Sequence, residues 1–392
     1  MDFIAIAIAF FTGFAAGVTG ALPFVHTNNI LAAFASLDFG AFSTPIAASV
    51  FAVALSFSHL AFETIPALFL ALPAQNQSVA ALPAQKLVLQ GRAEHALFLI
   101  TRSLFLALLA SLCLAPLALF ALPALYAFAK SFSALALIAI VALAVLRERG
   151  GEHAGRAGRA KRAALAISVF VLSGAVGFAA LVLPVCRQPL FPLLAGLFGV
   201  PAVLFSFGAK PAKPKTEADE GENAFSLGAV KPTNWKLVLA GVFVGALSVL
   251  FPALSPALLC GAIFFFLESD ADAFLETSSA LIASKMFFDF AGVFAIGKAR
   301  SGAAAFALEA FASQRASASL ADYALVCAAA LAALALALAL LLALRKRFAS
   351  FFSRVSGNAF SASLLVLVAL GSLFFSGWGG LLVLAAAGAA GC

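Results

Sequence analysis

Residues 13–29 read GFAAGVTGALPFVHTNN, and residues 241–256 read GVFVGALSVLFPALSP. Each stretch places Gly-x-x-x-Gly inside an apolar run and then reaches a proline, Pro23 or Pro252, followed by polar residues. A proline removes a helix donor and frees backbone groups, which lipid cannot satisfy. The two stretches therefore predict helices that break where protein or a cavity surrounds them.

The composition of the whole chain predicts a polytopic membrane protein. Of the 392 residues, 64% are hydrophobic and only 10% are charged, and the mean hydropathy is +1.10. The net charge of +7 comes from short basic clusters between apolar runs, at 147–162 and 345–347. Such clusters mark cytoplasmic loops rather than a nucleic-acid surface. The five cysteines are dispersed and have no zinc-ligand spacing, so we expect no metal site.

The pattern of apolar runs predicts an all-α fold of about 10–12 transmembrane helices in two inverted repeats with broken or re-entrant helices. One long polar stretch divides the chain. It gives an N-terminal membrane repeat at 1–207, a polar cytoplasmic linker at 208–234 and a C-terminal membrane repeat at 235–392.

An internal duplication is indicated by a nearly constant offset between the halves. Gly13 and Gly241 lie 228 positions apart (241 − 13), and Glu63 and Asp289 lie 226 apart (289 − 63). The inverted orientation depends on counting the proline-rich segment 64–83 as one crossing, which places Glu94 on the cytoplasmic side of the membrane. On that count the acidic loop at 268–276 lies on the outer side.

Polar residues at the predicted breaks are the candidates for binding an anion. Side-chain amides, hydroxyls, basic groups and freed backbone N–H groups are the donors that a carboxylate needs. The alternative for the first cluster is an ordinary helix cap, and for the basic residues a cytoplasmic loop. The substrate-binding candidates are His26, Thr27, Asn28, Asn29, Gln75, Asn76, Gln77, Ser78, Ser255, Lys298, Arg300, Ser301 and Gly302.

Glu63 and Asp289 match each other in the repeat, and together with His59 they are candidates for coupling to Na⁺ or H⁺. The alternative is that the two acidic residues mark the membrane interface, and that His59 is an ordinary hydrogen-bonded helix histidine. Four glycines are structural candidates that permit close helix packing: Gly13, Gly17, Gly241 and Gly245. The sequence has no HExxH, GxSxG or Walker motif and predicts no enzyme.

Three stretches resemble a known family: GxxxGxxGxLPxxHxNN from Gly13, IPALFLALPAQNQSVAALPAQKLVLQGRAEHA from Ile65, and IGKARSGAA from Ile296. They are similar to the archaeal branch of the tripartite tricarboxylate transporter membrane subunit, the TctA-type permeases. The sequence departs from the family pattern where Phe24 follows Pro23, and where Ala253 and Ser255 replace glycines.

The function expected from these features is secondary transport of a small organic anion, a carboxylate on the family resemblance, coupled to Na⁺ or H⁺ across the plasma membrane. On this reading His26→Ala or Arg300→Ala abolishes uptake while the protein still folds. The resemblance also implies an extracytoplasmic binding protein and a small membrane subunit as partners. The replaced motif glycines leave one alternative, a channel or a non-transporting membrane scaffold.

Overall fold

The computed structural model describes residues 2–22, 25–36, 44–70, 81–90, 92–147, 156–186, 188–206, 233–252, 254, 256–266, 270–354 and 357–391. In chain order its helices are α1 (Phe3–Gly17), α2 (Thr27–Ser36), α3 (Pro45–Phe62), α4 (Thr64–Leu70), α5 (Ala81–Leu89), α6 (Ala93–Lys130), α7 (Ser133–Arg147), α8 (Arg156–Val182), α9 (Leu190–Leu194), α10 (Val200–Ser206), α11 (Trp235–Leu247), α12 (Pro256–Phe266), α13 (Ala271–Ile296), α14 (Gly302–Ser313), α15 (Leu320–Arg354) and α16 (Gly357–Gly391). Short 3-10 helices extend α1 and α11, at Val18–Ala21 and Ser248–Leu250. The described residues contain no strand, which confirms the all-α prediction.

Seven helices among the described residues are long and apolar enough to cross a membrane: Phe3–Ala21, Pro45–Phe69, Ala93–Lys130, Ala160–Val182, Ala271–Ile296, Leu320–Phe348 and Ala362–Gly391. The chain is therefore a multi-pass membrane protein. The expected 10–12 spanning helices of the whole chain stay a prediction. Helices α2, α5 and α12 are much shorter than the roughly 20 residues that a crossing needs.

Two compact units make up the chain. The first comprises Met1–Ser133 and Ala212–Ser353, and the second comprises Ala134–Pro211 and Arg354–Cys392. In the second unit α16 packs against α8, α9 and α10, and its Ser376 Oγ donates to the Gln188 carbonyl over 2.5 Å. The predicted division into two membrane repeats, with boundaries at 207 and 234, follows the sequence duplication and is a different division from these two units. It stays a prediction.

The core of the first unit is α3. Every residue from Ile46 to Phe62 is buried, including several serines and a histidine. Helix α1 packs along it in the same direction, because Gly13 lies against the Phe51 carbonyl and Gly17 lies against the Leu55 carbonyl. A Cβ atom at either glycine would overlap the facing backbone, so the Gly-x-x-x-Gly spacing permits this contact.

The second half repeats this helix pair. Gly241 lies against the Thr277 carbonyl and Gly245 against the Leu281 carbonyl, so α11 also runs parallel to its partner, α13. One hydrogen bond is repeated as well: Ser58 Oγ donates to the Phe14 carbonyl over 2.9 Å. Its counterpart, Ser284 Oγ, donates to the Val242 carbonyl over 2.8 Å. The duplication seen in the sequence is therefore also a structural repeat.

The two repeats are inverted. Helix α6 follows α5 in the first half, as α15 follows α14 in the second, so α6 and α15 are equivalent. Helices α6 and α15 run antiparallel to each other. At one end, Arg345 Nε lies 3.7 Å from Glu94 Oε1. At the other, Tyr323 Oη donates to the Ala115 carbonyl over 3.3 Å. Equivalent helices therefore point in opposite directions, as in many secondary transporters.

The predicted placement of the acidic loop is wrong. Asp272 Oδ2 lies 3.0 Å from His95 Nε2 and 3.3 Å from Arg92 NH2, so Asp272 lies on the same side of the protein as Glu94. The error has a physical cause. Because α11 and α13 run parallel, the segment between them, which contains α12, returns the chain to the side where α11 began.

Candidate functional site

A reversal of the chain after α13 positions the start of α14. Gly297 ends α13 in the left-handed conformation at φ 59°, which glycine adopts without steric cost. Lys298 N then donates to the Gly292 carbonyl over 3.2 Å, so the chain turns back along α13. Ser301 caps α14, its Oγ accepting from Ala304 N over 3.3 Å. The N-terminus of a helix carries free N–H groups and a partial positive charge, both of which favour an anion.

The N-terminus of α2 meets the N-terminus of α14. Asn28, the second residue of α2, lies against Gly302, where an added Cβ would overlap its carboxamide. Asn28 Oδ1 is buried and has no hydrogen-bond partner among the described residues. Thr27 beside it is buried as well. The two candidate clusters, 273 positions apart in sequence (301 − 28), thus form one site, which we call the α2–α14 junction.

A buried ion pair adjoins this junction. Lys285 Nζ donates to Asp289 Oδ2 over 2.8 Å, one turn apart on α13. Asp289 is only 2% exposed, and its Oδ1 has no hydrogen-bond partner in the described part of the chain. Ser301 and Arg300 lie close enough to act on the carboxylate. Asp289 therefore belongs to the same cluster as the start of α14.

The first half contains a matching pair on α3. His59 Nδ1 lies 3.6 Å from Glu63 Oε2, and both residues are 1% exposed. His59 Nε2 lies 2.8 Å from the carbonyl of Val25, just after the predicted break. Because a carbonyl only accepts hydrogen bonds, Nε2 is the donor. The histidine thus satisfies a backbone group that the break leaves without a helix partner.

Residue pairs 59/63 and 285/289 are equivalent in the repeat. His59 and Lys285 lie 226 positions apart (285 − 59), the same offset as Glu63 and Asp289. The sequence prediction omitted Lys285. The signal that identifies it is this offset, applied to His59.

Arg300 serves the break of the second repeat. Its Nε donates to the Val249 carbonyl over 2.8 Å, and NH2 lies 3.5 Å from the Leu250 carbonyl. The guanidinium also lies over the Tyr126 ring, 5.6 Å from its centroid. The structure therefore gives Arg300 a structural role at the end of α11, in addition to the anion-binding role predicted for it.

The other predicted residues divide into two groups. Lys298 is exposed, whereas His26 and Asn29 are half-buried beside the start of α2. Gln75, Asn76, Gln77, Ser78 and Ser255 lie outside the described residues. The first-half turn that corresponds to the turn before α14 falls among these residues. The α2–α14 junction is therefore described without its counterpart in the other repeat.

The junction brings together groups that can donate hydrogen bonds to an anion, next to the Lys285–Asp289 ion pair. It combines two helix N-termini, a hydroxyl and a carboxamide. Such donors bind carboxylates without the desolvation cost of burying further permanent charge. Among the described residues, no group of three or more histidine, cysteine, aspartate or glutamate side chains could hold a metal ion.

Comparison with known proteins agrees with this architecture. The model of the family described as "Tripartite tricarboxylate transporter TctA family" matches residues 4–392, which is nearly the whole chain. Searches of curated proteins and of solved structures found no match. Assignment to the archaeal branch of the family stays a prediction. By the extent of the family match, the chain belongs to the tripartite tricarboxylate transporter TctA family.

Proposed function

We propose that the chain is a secondary transporter that binds a small carboxylate anion at the α2–α14 junction and couples its movement to Na⁺ or H⁺. Membership of the family implies a membrane transporter subunit for tricarboxylates. It also implies a substrate-binding protein and a small membrane subunit as partners. The anion, the coupling ion and the site are the parts that we propose.

The observation that carries the proposal is the contact between Asn28 and Gly302. It brings the N-termini of two short helices, one from each inverted repeat, to one place inside the first unit. Broken helices whose N-termini face an anionic substrate are the arrangement found in secondary transporters. Within the Asn28 carboxamide, the donor for an anion is the NH2 group, because Oδ1, which is buried and has no hydrogen-bond partner among the described residues, only accepts hydrogen bonds.

Direct binding of citrate tests the proposal without the partner subunits. The purified chain in lipid nanodiscs is titrated calorimetrically with citrate, because citrate is a tricarboxylate. Asn28→Ala is expected to weaken binding about tenfold or more, since a hydrogen bond to a charged group contributes about 1.5–3 kcal/mol. Gly302→Ala is expected to do the same, because its methyl group displaces the carboxamide.

Glu309→Gln is the matched control, since Glu309 lies on the exposed side of the same helix, α14. It is expected to bind citrate like the wild type. Normal citrate binding by both junction variants would overturn the site. Absence of citrate binding in the wild-type protein would favour the channel or scaffold alternative.

A further inference from the structure

Helix α16, in the second unit, is broken at Gly377. This residue has φ 70° and ψ −165°, a conformation that is essentially confined to glycine. A Cβ atom added at Gly380 would lie 2.6 Å from the carbonyl oxygen of Ser372, whereas eight residues of a straight helix span about 12 Å. The chain therefore bends sharply at Gly377, and the two parts of α16, 357–376 and 378–391, meet there.

The segment between α8 and α9 lies against the same break. Gly379 approaches the carbonyl of Val185 so closely that an added Cβ would overlap it. Ser376 Oγ donates to the carbonyl of Gln188 over 2.5 Å. Val185 and Gln188 both lie between the end of α8 and the start of α9. The break is therefore lined by the backbone carbonyls of Ser372, Val185 and Gln188.

Ser372 adds a buried hydroxyl group to the break. It is 0% exposed, and its Oγ has no hydrogen-bond partner in the part of the chain that the structure describes. A helical serine often donates to the carbonyl four positions earlier, as Ser56 and Ser111 do. Ser372 and Ser376 are four positions apart and share one helix face, against which Gly380 lies. The hydroxyl of Ser372 is therefore directed toward the break.

The chemistry of these groups favours a cation over an anion. A carbonyl oxygen only accepts hydrogen bonds, so it attracts a cation and repels an anion. Ser376 gives its proton to Gln188, which leaves the lone pairs of its oxygen for a cation. The C-terminal end of 357–376 carries a partial negative charge, while the positive end of 378–391 faces the carbonyls that Gly379 and Gly380 approach. Carbonyls at broken helices are ligands that transporters use for Na⁺.

The lack of carboxylates near the break limits the charge of this cation. The described residues of the second unit include no aspartate or glutamate. Protein sites for Ca²⁺ and Mg²⁺ use carboxylate ligands, which compensate the double positive charge. Neutral carbonyl and hydroxyl oxygens therefore favour a monovalent ion.

We propose that the α16 break binds a monovalent cation, Na⁺, through the hydroxyl oxygens of Ser372 and Ser376 and the carbonyl oxygens beside them. The site goes beyond the proposed function, because it lies in the second unit, whereas the α2–α14 junction lies in the first. Its occupancy is measured without citrate.

Binding of Na⁺ to the purified full chain in lipid nanodiscs tests the inference. Radioactive Na⁺ measures binding directly, and choline chloride replaces NaCl so that the chloride concentration stays constant. Trp378, which follows Gly377, reports on the break by fluorescence. The chain has two tryptophans, so Trp235→Phe leaves this one alone. We expect saturable Na⁺ binding and a change in Trp378 fluorescence with the same affinity.

Ser372→Ala is the variant that separates this site from any other Na⁺ site. It removes one ligand oxygen, and we expect Na⁺ binding to weaken about tenfold or more. The midpoint of thermal unfolding in choline chloride is expected to stay unchanged, because the hydroxyl has no hydrogen bond to lose among the described residues. Ser168→Ala, on an exposed face of α8 in the same unit, is the matched control and is expected to bind Na⁺ like the wild type.

Three results would overturn the inference. They are no saturable Na⁺ binding by the wild-type chain, an Na⁺ affinity that is unchanged in Ser372→Ala, and a Trp378 signal that follows chloride at constant Na⁺. Chloride is tested because a basic residue, Arg187, precedes Gln188 in the sequence. Since none of these measurements contains citrate, failure of the proposed function is detected separately.

Discussion

The Nε–H group of Arg300 donates to the backbone carbonyl of Val249 over 2.8 Å. This bond joins the turn before α14 to the end of the broken helix that begins with α11. In the other repeat, His59 binds the carbonyl of Val25. Basic side chains therefore satisfy freed carbonyls next to both breaks, which explains how the breaks are tolerated in an apolar surrounding.

Replacing Arg300 is expected to lower stability as well as activity. Arg300→Ala leaves buried carbonyls without donors, at a cost of about 1–3 kcal/mol, and we expect a lower midpoint of thermal unfolding in detergent. Arg300→Lys is expected to be intermediate, because an ammonium group lacks the planar fork of donors. Exposed Lys346→Ala is the control. An unchanged midpoint in Arg300→Ala would contradict the structural role. It would restore the simpler expectation that this variant folds normally and fails only in uptake.

The packing glycines are expected to behave alike in the two halves. Gly17→Ala and Gly245→Ala each place a methyl group against a facing carbonyl, and overpacking of this kind costs about 1–3 kcal/mol. We expect both variants to unfold at lower temperature in a size-exclusion assay after heating. Gly174→Ala on α8 is the control, since an added Cβ meets nothing within 4 Å there. Equal stability of all three variants would show that these close contacts are not required.

The two repeated serine bonds offer a test of structural equivalence. Ser58→Ala and Ser284→Ala each remove one bond between neighbouring helices, and we expect similar losses of about 0.5–1.5 kcal/mol. Ser168→Ala is the matched control, because the Ser168 hydroxyl is exposed and bonds only within its own helix. Chemical unfolding in mixed micelles measures the three variants. A large loss in one repeat and none in the other would argue against equivalent packing.

Accessibility of single cysteines tests the corrected topology. Cysteines placed at Asp272, Glu94 and Lys346 in a cysteine-free chain are expected to react with an impermeant reagent from the same side of the membrane. The physical reason is the set of contacts that joins α6, α13 and α15 at one end. Labelling of Asp272 from the side opposite to Glu94 would contradict the structure and reinstate the external acidic loop.

The sequence by itself determined the features that depend on local spacing. The length of the apolar runs identified the chain as a polytopic membrane protein. The spacing of Gly13 and Gly17 identified a helix face that another backbone can approach closely. The constant offset already paired Glu63 with Asp289, because duplication preserves the order of residues along a helix. The i,i+4 spacing of His59 and Glu63 is likewise set by the helical period.

Only the tertiary structure decided which distant segments meet. The placement of Asn28 against Gly302, of Asp272 beside His95, and of Arg300 at Val249 depends on how helices far apart in sequence pack. Counting crossings placed Asp272 on the wrong side, because composition does not distinguish a helix that crosses from a short one that returns. Helical periodicity acts over a few residues. These contacts join residues 51, 177 or 274 positions apart (302 − 28 for the last), so they are set by how the helices of the first unit pack together.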